Sequence, residues 1–63
     1  MDKYNDKNGN VINDTNVILY QEKTYIALYI EKENKWVCHP CGDNTDTIDI
    51  DLSEIHNECS ICA

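Results

Sequence analysis

The chain alternates short apolar runs with polar breaks, a pattern typical of β-strands joined by turns. Residues 17–20 form the first run, and the polar stretch 21–23 separates it from residues 24–32, so the two runs predict a β-hairpin. Residues 36–38 predict a third strand that leads into the first cysteine pair. Residues 47–52 alternate strictly and predict a fourth strand with Ile48, Ile50 and Leu52 facing inward.

The two ends of the chain are less regular. Residues 1–16 are mostly Asn, Asp and Lys with turn signals at 8–9 and 13–16, and they predict a loose arm or a short edge hairpin. Near the other end, residues 53–56 fit either a single helical turn capped by Ser53 or a short final strand. The sequence leaves both alternatives open.

Together these elements predict one small all-β domain over residues 1–63. We expect an antiparallel meander of four or five short strands, curled into a partly open SH3-like barrel, because a flat sheet would leave one apolar face in water. Within it, residues 1–16 form the arm, residues 17–37 the hairpin and third strand, and residues 38–63 a cysteine-bearing half. A chain of 63 residues has little core, so an additional staple is expected.

Four cysteines supply a candidate staple. Cys38, Cys41, Cys59 and Cys62 form two C-x2-C pairs separated by seventeen residues, a spacing that predicts one four-thiolate structural Zn²⁺ site. Such a site has no open coordination position, so no zinc catalysis is expected. The alternatives are disulfides, a thiol redox protein that uses Cys38 and Cys41, and a rubredoxin-like iron electron carrier.

Charge indicates the class of partner. Twelve Asp and Glu against five Lys and Arg give a net charge of −7, which repels phosphate backbones and acidic membranes and favours a basic protein surface. Direct nucleic-acid binding and membrane binding are therefore not expected.

No catalytic triad or glycine-rich phosphate loop is present, so we expect no enzyme. The candidate partner-binding residues are acidic or aromatic: Asp43, Asp46, Asp49, Asp51, Tyr25 and Tyr29. The alternative is a face that only confers solubility.

The beginning of the sequence bears on the compartment. It shows no basic segment followed by an apolar run, so we expect a cytoplasmic protein. Thiols stay reduced in the cytosol, and this favours metal over disulfides.

Parts of the chain resemble a known class of small proteins. Residues 6–12 (Asp-Lys-Asn-Gly-Asn-Val-Ile), 17–20, 23–25 and 51–55 are similar to segments of SH3-like β-barrel proteins of phages and mobile elements, YopX-like ones among them. The cysteine half resembles zinc ribbons. The resemblance implies a small acidic inhibitor or regulator that binds a host protein in the host-cell cytosol.

Overall fold

The computed structural model describes residues 3–62. They form one five-stranded sheet, one short helix and two 3-10 turns at Glu31–Glu33 and His56–Glu58. The strands are β1 (Val17–Tyr20), β2 (Lys23–Ile30), β3 (Lys35–Pro40), β4 (Ile50–Asp51) and β5 (Ser60–Ile61), and the helix is α1 (Leu52–Ile55). No helix in this part of the chain is long and apolar enough to cross a membrane.

The strands lie in the order β4-β3-β2-β1-β5, and every neighbouring pair is antiparallel. Strands β1 to β4 follow one another as a meander, whereas the chain after β4 passes through α1 and returns to the far edge, where Ile61 pairs with Ile18. The sheet is not closed. The predicted small, partly open, antiparallel all-β fold is confirmed.

A two-residue turn joins β1 to β2 and confirms the predicted hairpin. Tyr20 pairs with Lys23, and both intervening residues have positive φ angles, 50° at Gln21 and 65° at Glu22. A turn with two positive φ angles matches the right-handed twist of the flanking strands. Neither Gln nor Glu is a residue type that favours this conformation, so the strand pairing must impose it on the turn.

The amino-terminal arm is a short hairpin that is tied to the end of the chain. Asn5 bridges Val11 across a turn in which Gly9 has a φ of 82°. The carboxylate of Asp6 is almost completely buried and accepts hydrogen bonds from the backbone N–H groups of Asn10 at 2.8 Å and Ile61 at 3.0 Å. The last bond joins the arm to β5, so the arm belongs to the folded unit.

One apolar cluster fills the concave side of the sheet. Both faces of β2 are at least partly covered: Tyr25 and Ala27 face the core, while Ile26 and Leu28 are half-buried. Trp36 from β3 and Leu52 from α1 complete the contact between sheet and helix. The buried apolar residues are Ile12, Ile18, Tyr25, Ala27, Trp36, Cys38, Leu52, Ile55 and Cys59.

The fourth strand is much shorter than its alternating pattern predicts. It comprises only Ile50 and Asp51, and the prediction that Ile48 faces inward is wrong, because its side chain is 75% exposed. The physical reason is that the chain before Asp49 turns across the end of β2. The side-chain amide of Asn44 donates to the backbone oxygen of Thr24 at 2.9 Å and holds the loop there.

Of the two alternatives for residues 53–56, the helical turn is present, but its cap lies two residues before Ser53. Helix α1 begins at Leu52, and the N-cap is Asp51, whose carboxylate accepts from the backbone N–H of Ser53 at 3.0 Å. Leu52 is fully buried as expected, although it reaches the core from a helix and not from a strand. Asp51 satisfies a helix N–H group that would otherwise lack a partner.

Candidate functional site

The first cysteine pair lies along an extended strand. Cys38 is in the middle of β3 with no exposed surface, and Cys41 follows the strand immediately and is half-buried. Side chains alternate between faces along a strand, so residues three apart lie on opposite faces. Because β3 continues through Pro40, this C-x2-C pair spans an extended segment.

The second cysteine pair is divided in the same way. Cys59 is fully buried and its thiol donates to the backbone oxygen of His56 at 3.3 Å. Cys62 is exposed, and its thiol donates to the backbone oxygen of Val17 at 3.3 Å. The intervening residues form β5, which again separates the sulfurs by an extended segment.

The four thiols do not form a ligand set in this arrangement. Within residues 3–62, no three His, Cys, Asp or Glu side chains come together as a metal-binding group. A tetrahedral zinc site needs four sulfurs about 2.3 Å from one ion. Here two thiols are buried, one is half-buried and one is exposed. The zinc site therefore remains a prediction from spacing.

The electrostatics of the two buried cysteines favour the protonated thiol. Burial is the main cause that raises the pKa of Cys38 to about 12, and the neighbouring Cys59 and Asp51 contribute to this rise. Burial also raises the pKa of Cys59, with a further contribution from the Asp6 carboxylate. Since the thiolate is the form that attacks a disulfide or binds a metal, Cys38 is poorly suited to the redox role considered above.

Two of the candidate aspartates pair with residues of the adjoining strands. Asp46 forms a salt bridge with Lys23 at 3.0 Å and accepts a hydrogen bond from the Tyr25 hydroxyl at 3.3 Å. Asp49 lies 2.7 Å from Nδ1 of His39, across the continuation of the β3–β4 pairing. These contacts fix the loop of residues 41–49, which we call the acidic loop, against the sheet.

The other two aspartates differ from each other. Asp51 is the N-cap of α1. Asp43 is exposed and has no hydrogen bond or ion pair within residues 3–62. The four carboxylates that share one region of the sequence therefore have different roles, and three of them contribute to local structure.

The two candidate tyrosines serve mainly in packing. Tyr25 is only 3% exposed, and its ring belongs to the core. Tyr29 is half-buried against the core, with its ring centroid 5.4 Å from that of Trp36 and its hydroxyl bonded to the side chain of Asn34. Neither ring is freely presented on the surface.

The sequence pattern missed the most exposed large apolar side chain among residues 3–62, that of Ile48. It borders an open groove of about 530 Å³ between the acidic loop and the sheet, lined by Tyr25, Thr45, Asp46, Thr47, Ile48 and Ile50. The turn-forming residues Gly42 and Asn44 are the signal that could have indicated a loop here. The strict alternation that begins at Thr47 outweighed it.

Charge is distributed unevenly along the chain. Residues 36–63 contain six Asp and Glu and no Lys or Arg, whereas residues 1–35 contain six acidic residues and all five lysines. Almost all of the net charge of −7 therefore comes from the part of the chain that holds the acidic loop, β4 and α1.

Comparison with protein-family models, with curated proteins and with solved structures gives no match for this chain.

Proposed function

We propose that this protein is a non-enzymatic interaction module that binds a basic surface of another protein through its acidic loop. The observation that carries the proposal is the separation of charge, with six carboxylates and no lysine or arginine in residues 36–63. A surface of one sign attracts a partner of the opposite sign and repels nucleic acid and acidic lipid.

The intramolecular contacts of the acidic loop support this role. The side chains of Asp46 and Asp49 remain 41% and 49% exposed while each is held by a partner within the protein. A carboxylate has about four acceptor positions, so the internal contacts with Lys23 and Tyr25 at Asp46, and with His39 at Asp49, leave acceptor capacity for an incoming cation. Because the loop is already positioned, little conformational entropy is lost when it binds.

A salt titration with matched charge variants tests the proposal. The probe is a short lysine-rich peptide, and its affinity is measured by calorimetry from about 0.05 M to about 0.5 M salt. We expect measurable binding at low salt that weakens steeply as salt rises. Replacing Asp43, Asp46 and Asp49 together by Asn should weaken binding at low salt, since Asn retains hydrogen-bonding capacity but loses charge.

The control removes the same number of carboxylates from the other half of the chain. Glu22, Glu31 and Glu33 are all exposed and lie outside the acidic loop, and they are replaced together by Gln. If both triple variants lose affinity equally, only net charge matters and the acidic loop is not the binding surface. Binding that is indifferent to salt would contradict the proposal altogether.

A further inference from the structure

An isoleucine lies in an unusual place within the acidic loop. Ile48 is 75% exposed, compared with 44% for Val11 and 41% for Leu19, the other exposed large apolar residues of the described chain. Its neighbours Thr47 and Asp49 are exposed as well. Single exposed apolar residues are common, so exposure alone identifies nothing. The feature that sets Ile48 apart is the groove beside it.

The groove combines fixed apolar walls with a charged rim. Tyr25 belongs to the buried core and Ile50 packs against it, so these two walls are held by the sheet. The Asp46 carboxylate lies in the lining, and its contacts with Lys23 and the Tyr25 hydroxyl fix its position. A volume of about 530 Å³ is within the range of small-ligand sites and is ample for one aliphatic side chain.

We propose that this groove receives an aliphatic side chain from a basic segment of a partner protein, with Ile48 covering that side chain. The inference rests on the proposed function and specifies the chemistry of the partner: an apolar anchor flanked by lysine or arginine. Charge complementarity is the reason to expect basic residues on both sides of the anchor. Asp43, Asp46 and Asp49 lie in the same loop as the groove, so cationic residues beside the anchor meet carboxylates.

Apolar contact and charge have separate effects in this arrangement. Burying an aliphatic anchor removes apolar surface from water and slows dissociation, whereas the carboxylates mainly speed association and confer salt dependence. Complete burial of a leucine side chain increases affinity by more than a factor of ten. An open groove buries only part of the side chain, so we expect the anchor to increase affinity about tenfold. This contribution should persist at high salt.

Two peptides and two variants of the full chain test the inference. One acetylated and amidated lysine-rich peptide carries a central leucine, and the other carries serine at that position. The variants are Ile48→Thr in the groove and Val11→Thr on the amino-terminal hairpin. Both introduce threonine at an exposed β-branched residue, so both should fold, and thermal melts verify this.

The wild-type protein and Val11→Thr should bind the leucine peptide about tenfold more tightly than the serine peptide. Ile48→Thr should reduce that preference to less than about threefold while the salt dependence remains. Equal, salt-dependent affinity of the wild type for both peptides would overturn the groove but leave the proposed function intact. A leucine preference that survives in Ile48→Thr would also overturn it. Binding of neither peptide would overturn both proposals.

Discussion

The two cysteine pairs should react with an alkylating reagent in a definite order. At pH 8, a thiol with the ordinary pKa of 9.0 is about one-tenth ionised, whereas a pKa of about 12 leaves about one Cys38 molecule in ten thousand ionised. Iodoacetamide reacts with the thiolate, so ionisation alone should slow Cys38 about a thousandfold relative to an ordinary thiol. Its complete burial should restrict reaction further to moments when the domain opens.

Mass spectrometry of peptides from a timed reaction measures the rate at each cysteine. We expect Cys62, which is exposed, to be modified first, Cys41 next, and Cys38 and Cys59 only slowly. In denaturant all four should react at comparable rates, and this control shows that the slow reaction reflects the fold. A chelator is added in a parallel reaction, because an ion shared by the four thiols would protect them until it is removed.

Three other patterns would refute this reasoning, and each corresponds to an alternative from the sequence. Protection of all four thiols until a chelator is added would show the predicted zinc site. Rapid modification of Cys38 would point to a reactive redox thiol with a low pKa. An absence of any reaction until a reductant is present would show disulfides.

Three further predictions concern the fold. Glu22→Gly should stabilise the domain by about 1 kcal/mol and raise Tm by a few degrees, because glycine tolerates the positive φ at this position. The control is Glu31→Gly, the same change at an ordinary backbone position, which should lower Tm. Hydrogen bonds to Asp6, of which the one from the Ile61 N–H has the largest effect, lower the pKa of its carboxyl below 3.8. The carboxylate therefore stabilises the fold above pH 3.8, and this stabilisation is lost as the pH falls through the pKa of the folded state. Asp6→Asn should therefore lower the urea midpoint at about pH 6 and much less at about pH 2.5. Elemental analysis of reduced protein tests the zinc site that the cysteine spacing predicts: we expect about one zinc per chain if the four thiols share an ion, and none if they stay divided between core and surface.

Local patterns predicted most of the strands. The pattern predicts a strand at residues 17–20 with the observed bounds, and it predicts the hairpin and the third strand; at residues 53–56 it leaves a helical turn and a strand open. These elements depend on neighbouring residues, so periodicity and turn signals suffice to find them. The return of β5 to β1 depends on a contact between distant segments, in which the Asp6 carboxylate accepts from the N–H of Ile61, and no local pattern encodes it.

The candidate site shows where such patterns fail. The alternation of residues 47–52 assigned Ile48 to the core, but contacts of Asn44 and Asp46 with β2 pull the loop away from β3. The C-x2-C spacing indicates a shared ion only if each pair lies on a tight turn, and β3 instead continues through Pro40. The error at Ile48 arises from tertiary contacts that override a local pattern, whereas the zinc site stays a prediction.

Mapping of peptide binding by nuclear magnetic resonance tests the central claim, that the acidic loop is the interaction surface, most directly. The isotope-labelled protein is titrated with the lysine-rich leucine peptide at low salt, and the shift of each backbone amide is recorded. We expect the largest shifts in residues 43–51, with little change in residues 3–12 or in β5. Shifts centred on the amino-terminal hairpin and β5, or no saturable shift at all, would contradict the account.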